Sequence, residues 1–269
     1  MPGEERKLAD LNFGIIGAGH LGLTMAQVFI NSFLPPRNLL ISYKGSIETG
    51  RSLEKMGLSD QVVSVDELCR LAEIVLIFVR PQSFVDFRIT SIGANTLFVS
   101  GIAGVPLSRL EKVFGKNICR IMTSGPDTIH QHKAMAAIYP FNEMVNRMMS
   151  ATGFTVMILN EEQEMHYFTV GVCLPAALVL AKKLGVKVEI DPRDREPGYA
   201  IIHQLFLWAK SVIPQFVSDE LAEDYVRKMA TPGGITEAIL LNLEKSRNLL
   251  QALDAGVERS MTISDGFAG

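Results

Sequence analysis

Three glycines at a fixed spacing are the residues most able to do chemistry in this chain. Gly17, Gly19 and Gly22 lie within FGIIGAGHLGLTMAQVF, between an apolar run and an amphipathic one. Glycine costs conformational entropy wherever the backbone is ordered. Three of them here imply a turn too tight for a side chain, or a ligand that approaches the main chain. The pattern Gly17-x-Gly19-x-x-Gly22, directly after a strand and at the start of a helix, fits a dinucleotide-binding turn. The first glycine makes the turn, the second admits a pyrophosphate, and the third lets the helix pack close to the strand. The N-terminus of that helix would then offer its unpaired N–H groups, that of His20 among them, and its positive end to the phosphates.

The second strand, NLLISYK, should end at the adenosine ribose, where an NAD-binding protein usually places a carboxylate. Here the run is Ser42-Tyr43-Lys44-Gly45-Ser46, with no acid. Ser42 and Ser46 can donate hydrogen bonds and Lys44 is cationic, which favours NADP, with NAD possible. Lys44 as an ordinary solvated turn lysine is the plainer alternative, and Ser46 also suits a helix cap. Ligands of open parallel sheets sit at the carboxyl ends of strands. Two further strand ends, Phe78 to Gln82 and Val99 to Val105, could therefore bring backbone close to a cofactor, and either could equally be an ordinary loop.

The elements that would position these residues are legible as a pattern. The first ~160 residues alternate short apolar runs with helical patterns, as parallel strands and crossover helices do. The strand candidates are NFGIIGAG, NLLISYK, EIVLIFVRP, TLFVSGIAG, NICRIMTSG, MAAIYP and FTVMILN, and their continuous apolarity suggests cover on both faces. Ser64 and Glu67 fit a capping box opening the helix DELCRLA, and Ser46 fits a cap on IETGRSLEKM, which stops at Gly57. From about Glu161 long helical patterns take over, the last running from Ile235 to Thr262. Its apolar stripe, Ile239, Leu240, Leu243, Leu249, Leu250 and Leu253, needs a partner surface, either within its own domain or on a second copy. The expected architecture is α/β: an N-terminal Rossmann-type parallel sheet over 1–160 and a C-terminal all-helical dimerisation domain over 161–269.

Composition narrows the classes. Of 269 residues, 48% are hydrophobic and 20% charged, so a sizeable core is expected. The net charge is -3 and no basic run tracks a phosphate backbone, so nucleic acid is not an expected partner. The first ten residues lack a signal-like apolar stretch and runs such as IVLIFV are too short to span a bilayer, so a cytoplasmic, membrane-free protein is expected. Three scattered cysteines suggest neither a disulfide framework nor metal ligands. His130 and His132 have no carboxylate or cysteine at ligand spacing, so no metal centre is expected.

With these residues assembled, the chain resembles the pyrroline-5-carboxylate reductase family from Phe13 to about Arg259. The likeness rests on IIGAGHLG, FVRPQ, VSGIAG, RIMTSGP and MATPGGITEAI in that order. It implies an NADP- or NAD-linked reductase that passes a hydride to the C=N carbon of a small cyclic imino acid, with helical domains intertwined in a homodimer or higher homo-oligomer. It assigns cofactor contacts to Gly17 through Gly22, Ser42, Lys44, Ser64, Phe78 through Pro81 and Gly101 through Ala103. Ser64 thus has a ribose role competing with its cap role. The late turn Gly233-Gly234-Ile235-Thr236 and Ser124 fall where the family holds substrate. Thr236 is the candidate for orienting the substrate nitrogen or carboxylate, and as a helix cap it would look much the same.

The substrate side departs from the family. Ser124 replaces an asparagine, Ile235 replaces a threonine, and Gly171 through Ala176 carries Cys173 and apolar groups where the family has serines and glycines. Two rival readings follow. One is a β-hydroxyacid-type dehydrogenase, although Lys183 lacks an asparagine four residues on. The other is a nucleotide-sensing or partner-binding paralogue that has lost its substrate site.

Overall fold

The computed structural model describes residues 6–189 and 198–267. The chain divides into two compact units, Met1–Ile158 and Leu159–Gly269.

The first unit is one seven-stranded sheet clothed in short helices. Its strands are β1 (Phe13–Ile16), β2 (Leu39–Ser42), β3 (Ile74–Ile77), β4 (Leu97–Ser100), β5 (Ile118–Thr123), β6 (Met135–Tyr139) and β7 (Thr155–Ile158), in the spatial order β2-β1-β3-β4-β5-β6-β7. The helices are α1 (His20–Ser32), α2 (Ile47–Lys55), α3 (Val65–Leu71), α4 (Pro81–Phe84), α5 (Leu107–Phe114), α6 (Pro126–His130) and α7 (Glu143–Ala151). β1 is fully buried at the centre of its half, with Phe13 opposite Leu39 on one side and Ile74 on the other. Phe13, Phe29 and Phe33 pack their rings with centroids 5.6–5.7 Å apart and fix α1 against β1.

Two strands depart from the expected all-parallel, doubly covered sheet. β6 runs antiparallel to β5, with Arg120 opposite Tyr139, and β7 is parallel to β6. The β5–β6 connection is short, residues 124–134, with one five-residue helix, α6, within it. A parallel return needs a crossover of about a dozen residues or more, so the chain doubles back instead. β7 is half-buried to exposed along its whole length, as an edge strand.

The two helix starts read from the sequence are present. Ser64 Oγ accepts the Glu67 N–H at 3.2 Å and Ser46 Oγ accepts the Thr49 N–H at 3.5 Å. Gly57, just past α2, has φ +67°.

The second unit is helical: α8 (Glu164–Lys183), α9 (Tyr199–Val212), α10 (Asp219–Met229), α11 (Ile235–Ser246) and α12 (Leu249–Asp265). Glu196 and Pro197, where the α9 pattern begins in the sequence, lie outside the described residues. α8 packs against all four of the others. It is the one described helix long and apolar enough to cross a membrane, which short apolar runs did not foretell, and 67% of its apolar window is buried. A Cβ on Gly171 would lie 2.2 Å from Leu205 Cδ1, and one on Gly256 2.6 Å from Ile239 Cγ1, so these positions let α9 and α11 close on their neighbours.

The single helix expected from Ile235 to Thr262 is two helices. Arg247 takes a left-handed conformation (φ 52°, ψ 30°), and Asn248 then caps α12 by accepting the Gln251 N–H at 3.1 Å. The apolar stripe persists across the break. Ile239, Leu240, Leu243, Leu249 and Leu253 are buried and Leu250 is half-buried within this one chain.

Candidate nucleotide site

The carboxyl ends of β1, β2 and β3 surround one cavity of about 380 Å³, lying wholly in the first unit. The three glycines of the opening turn do three different things around it. Gly17 has φ +96°, and a Cβ there would lie 2.7 Å from the Phe78 carbonyl oxygen. Gly22 sits in the first turn of α1 with a hypothetical Cβ only 2.1 Å from the Gly17 carbonyl oxygen, so a side chain would push the helix off the strand. Gly19 has no atom within 4 Å of a Cβ position and faces open space. Two of the glycines are therefore demanded by the protein's own packing. The third is bare where a ligand can approach.

Backbone donors complete the turn. The Gly17 N–H is spent on the Ser42 carbonyl at 2.8 Å, and the first α1 bond is Leu23 N–H to Gly19 O at 2.9 Å. Gly19 is the N-cap, with no side-chain cap, so the amides of His20, Leu21 and Gly22 have no intrahelical acceptor. This leaves donors and the positive helix end at the cavity.

Of the cofactor residues expected from the sequence, Gly17, Ala18, Gly19, Ser42, Lys44, Phe78, Val79 and Arg80 line this single cavity. His20, Leu21 and Gly22 form the adjoining turn of α1. The others are placed elsewhere. Ser64 is exposed and caps α3, outside the lining, whereas its neighbour Val65 is in it. Pro81 begins α4. Gly101, Ile102 and Ala103 are absent from the lining. Gly101 instead makes room for the Phe78 ring, which a Cβ would approach to 2.6 Å, and Ile102 is buried with its N–H on Ser100 Oγ.

Sequence reasoning missed Tyr43, Thr49, Val65, Ser83 and Phe87 as cavity residues; Ser46, expected both as a donor to the nucleotide and as a cap, lines the cavity and caps α2. Thr49 was findable, since it lies three residues after Ser46 in the first turn of α2. Phe87 follows α4 in irregular chain and packs on Phe114 at 5.7 Å, a contact no periodicity signals.

The cavity is electropositive: Lys44 and Arg80 line it, and no described lining residue is a carboxylate. Among the described residues no group of three or more His, Cys, Asp or Glu side chains is gathered as metal ligands would be.

The residues expected on the substrate side have their polar groups committed within the protein. Ser124 is 1% exposed; its hydroxyl accepts the Met135 N–H at 2.9 Å and pairs with Thr128 Oγ1 at 2.6 Å. It does not line the nucleotide cavity. At the late turn Gly233 has φ +71°. Its N–H goes to Glu237 Oε2 at 2.7 Å, and its carbonyl accepts from Arg259 Nε and Nη2 at 2.9 and 2.6 Å. Gly234 is the N-cap of α11 and Ile235 its first residue, so Thr236 is not the cap. The Thr236 hydroxyl donates to Cys173 Sγ at 3.2 Å, and that thiol donates to Thr169 O at 3.2 Å. Burial pushes the Cys173 thiol up to about 11, against the smaller opposing effect of Thr236.

No protein-family model matches the chain and no curated protein matches it in sequence. Solved structures do match. The pyrroline carboxylate reductase of Plasmodium falciparum, with NADP bound, is 19% identical over 96% of this chain and 100% of its own, with a TM-score of 0.56. The 1-pyrroline-5-carboxylate reductase of Streptococcus pyogenes is 18% identical over 94% of this chain and 98% of its own, also at 0.56. The pyrroline-5-carboxylate reductase of Coxiella burnetii gives the same identity, coverages and TM-score. The chain therefore has the fold of the pyrroline-5-carboxylate reductases.

Proposed function

We propose that this chain is an NADP-dependent oxidoreductase that reduces the C=N bond of a small imine, with NAD a poorer cofactor. One observation carries the nucleotide half. A single cavity joins the bare Gly19 face, the free amides of α1 and Lys44, and no described carboxylate lines it. Gly17, Gly19 and the first turn of α1 would hold the pyrophosphate, and Lys44 the 2′-phosphate. The Plasmodium falciparum structure of the same fold is one with NADP bound. When bound, NADPH supplies a hydride from nicotinamide C4. The imine carbon accepts it and the nitrogen carries a proton, giving a secondary amine. A substrate that arrives as the protonated iminium needs no acid from the protein, only binding, orientation and exclusion of water.

A second reading, a nucleotide-binding paralogue without reductase activity, is favoured by one group of contacts. Ser124, Thr236 and both polar groups of Gly233 are bonded to the protein itself. Calorimetric titration with NADPH and NADH tests the cofactor, and tight NADH binding with none for NADPH would refute the Lys44 assignment. Nicotinamide absorbance with a panel of cyclic imines and keto acids separates the readings. Imine turnover supports the reductase, keto-acid turnover a dehydrogenase, and binding without turnover the sensor. A cytoplasmic homo-oligomer formed through the second unit belongs to the same proposal. The exposed Leu207, Val217, Leu221 and Leu241 of that unit support it, and light scattering in solution reads the assembly.

A further inference from the structure

We infer that Arg80 is a specificity residue which, with Lys44, clamps the 2′-phosphate of the nucleotide from the opposite wall of the crevice. The inference rests on the nucleotide reading above and adds the group that grips the phosphate from its second side.

β2 and β3 flank β1, so their ends stand two strand spacings apart, about 10 Å. Lys44 leaves the end of β2 and Arg80 the end of β3, and both line the same cavity. Both are exposed and neither side chain has a hydrogen bond or ion pair among the described residues, so neither charge is already spent. Long side chains from two walls that far apart meet over a single group between them. Ser42 adds a third, independent pointer to a ligand there. It is only 5% exposed, it lines the cavity, and its hydroxyl has no partner among the described residues. That hydroxyl opens into the cavity, where a phosphate oxygen would accept its hydrogen bond. A guanidinium offers a phosphate two parallel N–H donors, and an ammonium offers a compact point charge. A bare ribose hydroxyl gives neither cation anything to neutralise, so the clamp discriminates by charge.

The rival role for Arg80 is to lie flat on the adenine ring as a cation over a π face, which would serve NADPH and NADH alike. Calorimetric titration of the full chain with both nucleotides separates the two. In Arg80→Ala, NADPH binding weakens by about 10- to 100-fold, the loss of a charge-assisted hydrogen bond, and NADH binding stays within about twofold. Arg80→Gln behaves like Arg80→Ala, Arg80→Lys recovers part of the loss, and added salt narrows the gap between NADPH and NADH. Adenosine 2′,5′-bisphosphate displaces NADPH from the wild-type chain far better than adenosine 5′-diphosphate does, and Arg80→Ala removes that advantage. Equal weakening of NADPH and NADH, or no change in either, overturns the clamp and leaves the nucleotide reading standing. Failure of both nucleotides to bind the wild-type chain overturns both.

Discussion

Replacing Gly19 by alanine separates a glycine kept for a ligand from one kept for packing. No atom lies within 4 Å of the new methyl, and the backbone there (φ -74°, ψ -168°) is extended and open to alanine. Folding alone should gain from the change, by about 0.4–1 kcal/mol through a stiffer unfolded chain. The methyl instead stands where a phosphate oxygen must come to about 2.9 Å from an amide. Losing one such charged contact costs about 1.5–3 kcal/mol, so NADPH should bind about 10- to 150-fold more weakly. Gly22→Ala is the internal control. Helix propensity would favour it by about 1 kcal/mol, but its methyl lies 2.1 Å from the Gly17 carbonyl oxygen. That neighbour is backbone and cannot swing aside. Overpacking of this kind costs about 1–3 kcal/mol or more, each kcal/mol lowering the melting temperature by about 2–4 °C in a unit of this size. Thermal melts and NADPH titration of both variants decide the matter. If Gly19→Ala bound NADPH as the wild type does, the turn would not be a phosphate site.

Two further outcomes are expected. Ser64→Ala removes the bond that caps α3 and should cost about 1 kcal/mol of stability with NADPH affinity unchanged; a loss of affinity at constant stability would return Ser64 to the ribose. Burial pushes the thiols of Cys69 and Cys119 up to about 12 and that of Cys173 up to about 11. All three therefore stay protonated at pH 8, and thiolate forms only as pH climbs toward those values. Alkylation of the native chain at pH 8 should be slow and should become rapid on unfolding. Stoichiometric labelling of the folded protein at that pH would contradict the burial.

The strands were legible because each is a short apolar run closed by a glycine, a proline or a polar cluster, and all seven lie where those runs do. The direction of β6 was not. Direction depends on how far a connection can carry the chain, and residues 124–134 fall only just short of the dozen or so that a parallel return takes. The break at Arg247 was hidden for a related reason: the apolar stripe continues in phase across it, whereas the decisive events are one left-handed residue and one asparagine cap. At the site, the glycines were readable because their spacing and their place between a strand and a helix are both local to the sequence. The bonds of Ser124 to Thr128 and the Met135 amide were not legible, because the turn after β5 and the start of β6 bring those partners to it. Tyr43 and Phe87 reach the cavity from loops, Val65 from the start of α3 and Ser83 from α4, and nothing in their own segments says so.

The hydrogen bond from the Gly17 amide to the Ser42 carbonyl ties two halves of recognition together. It stitches the pyrophosphate turn to the residue two places ahead of Lys44, so the seat for one phosphate and the arm that reaches for another share a hinge point. A disturbance that loosens β2 from β1 would register at both ends of the nucleotide at once. Affinity for the dinucleotide core and preference for its extra phosphate would then drift together under strain, although separate residues set them.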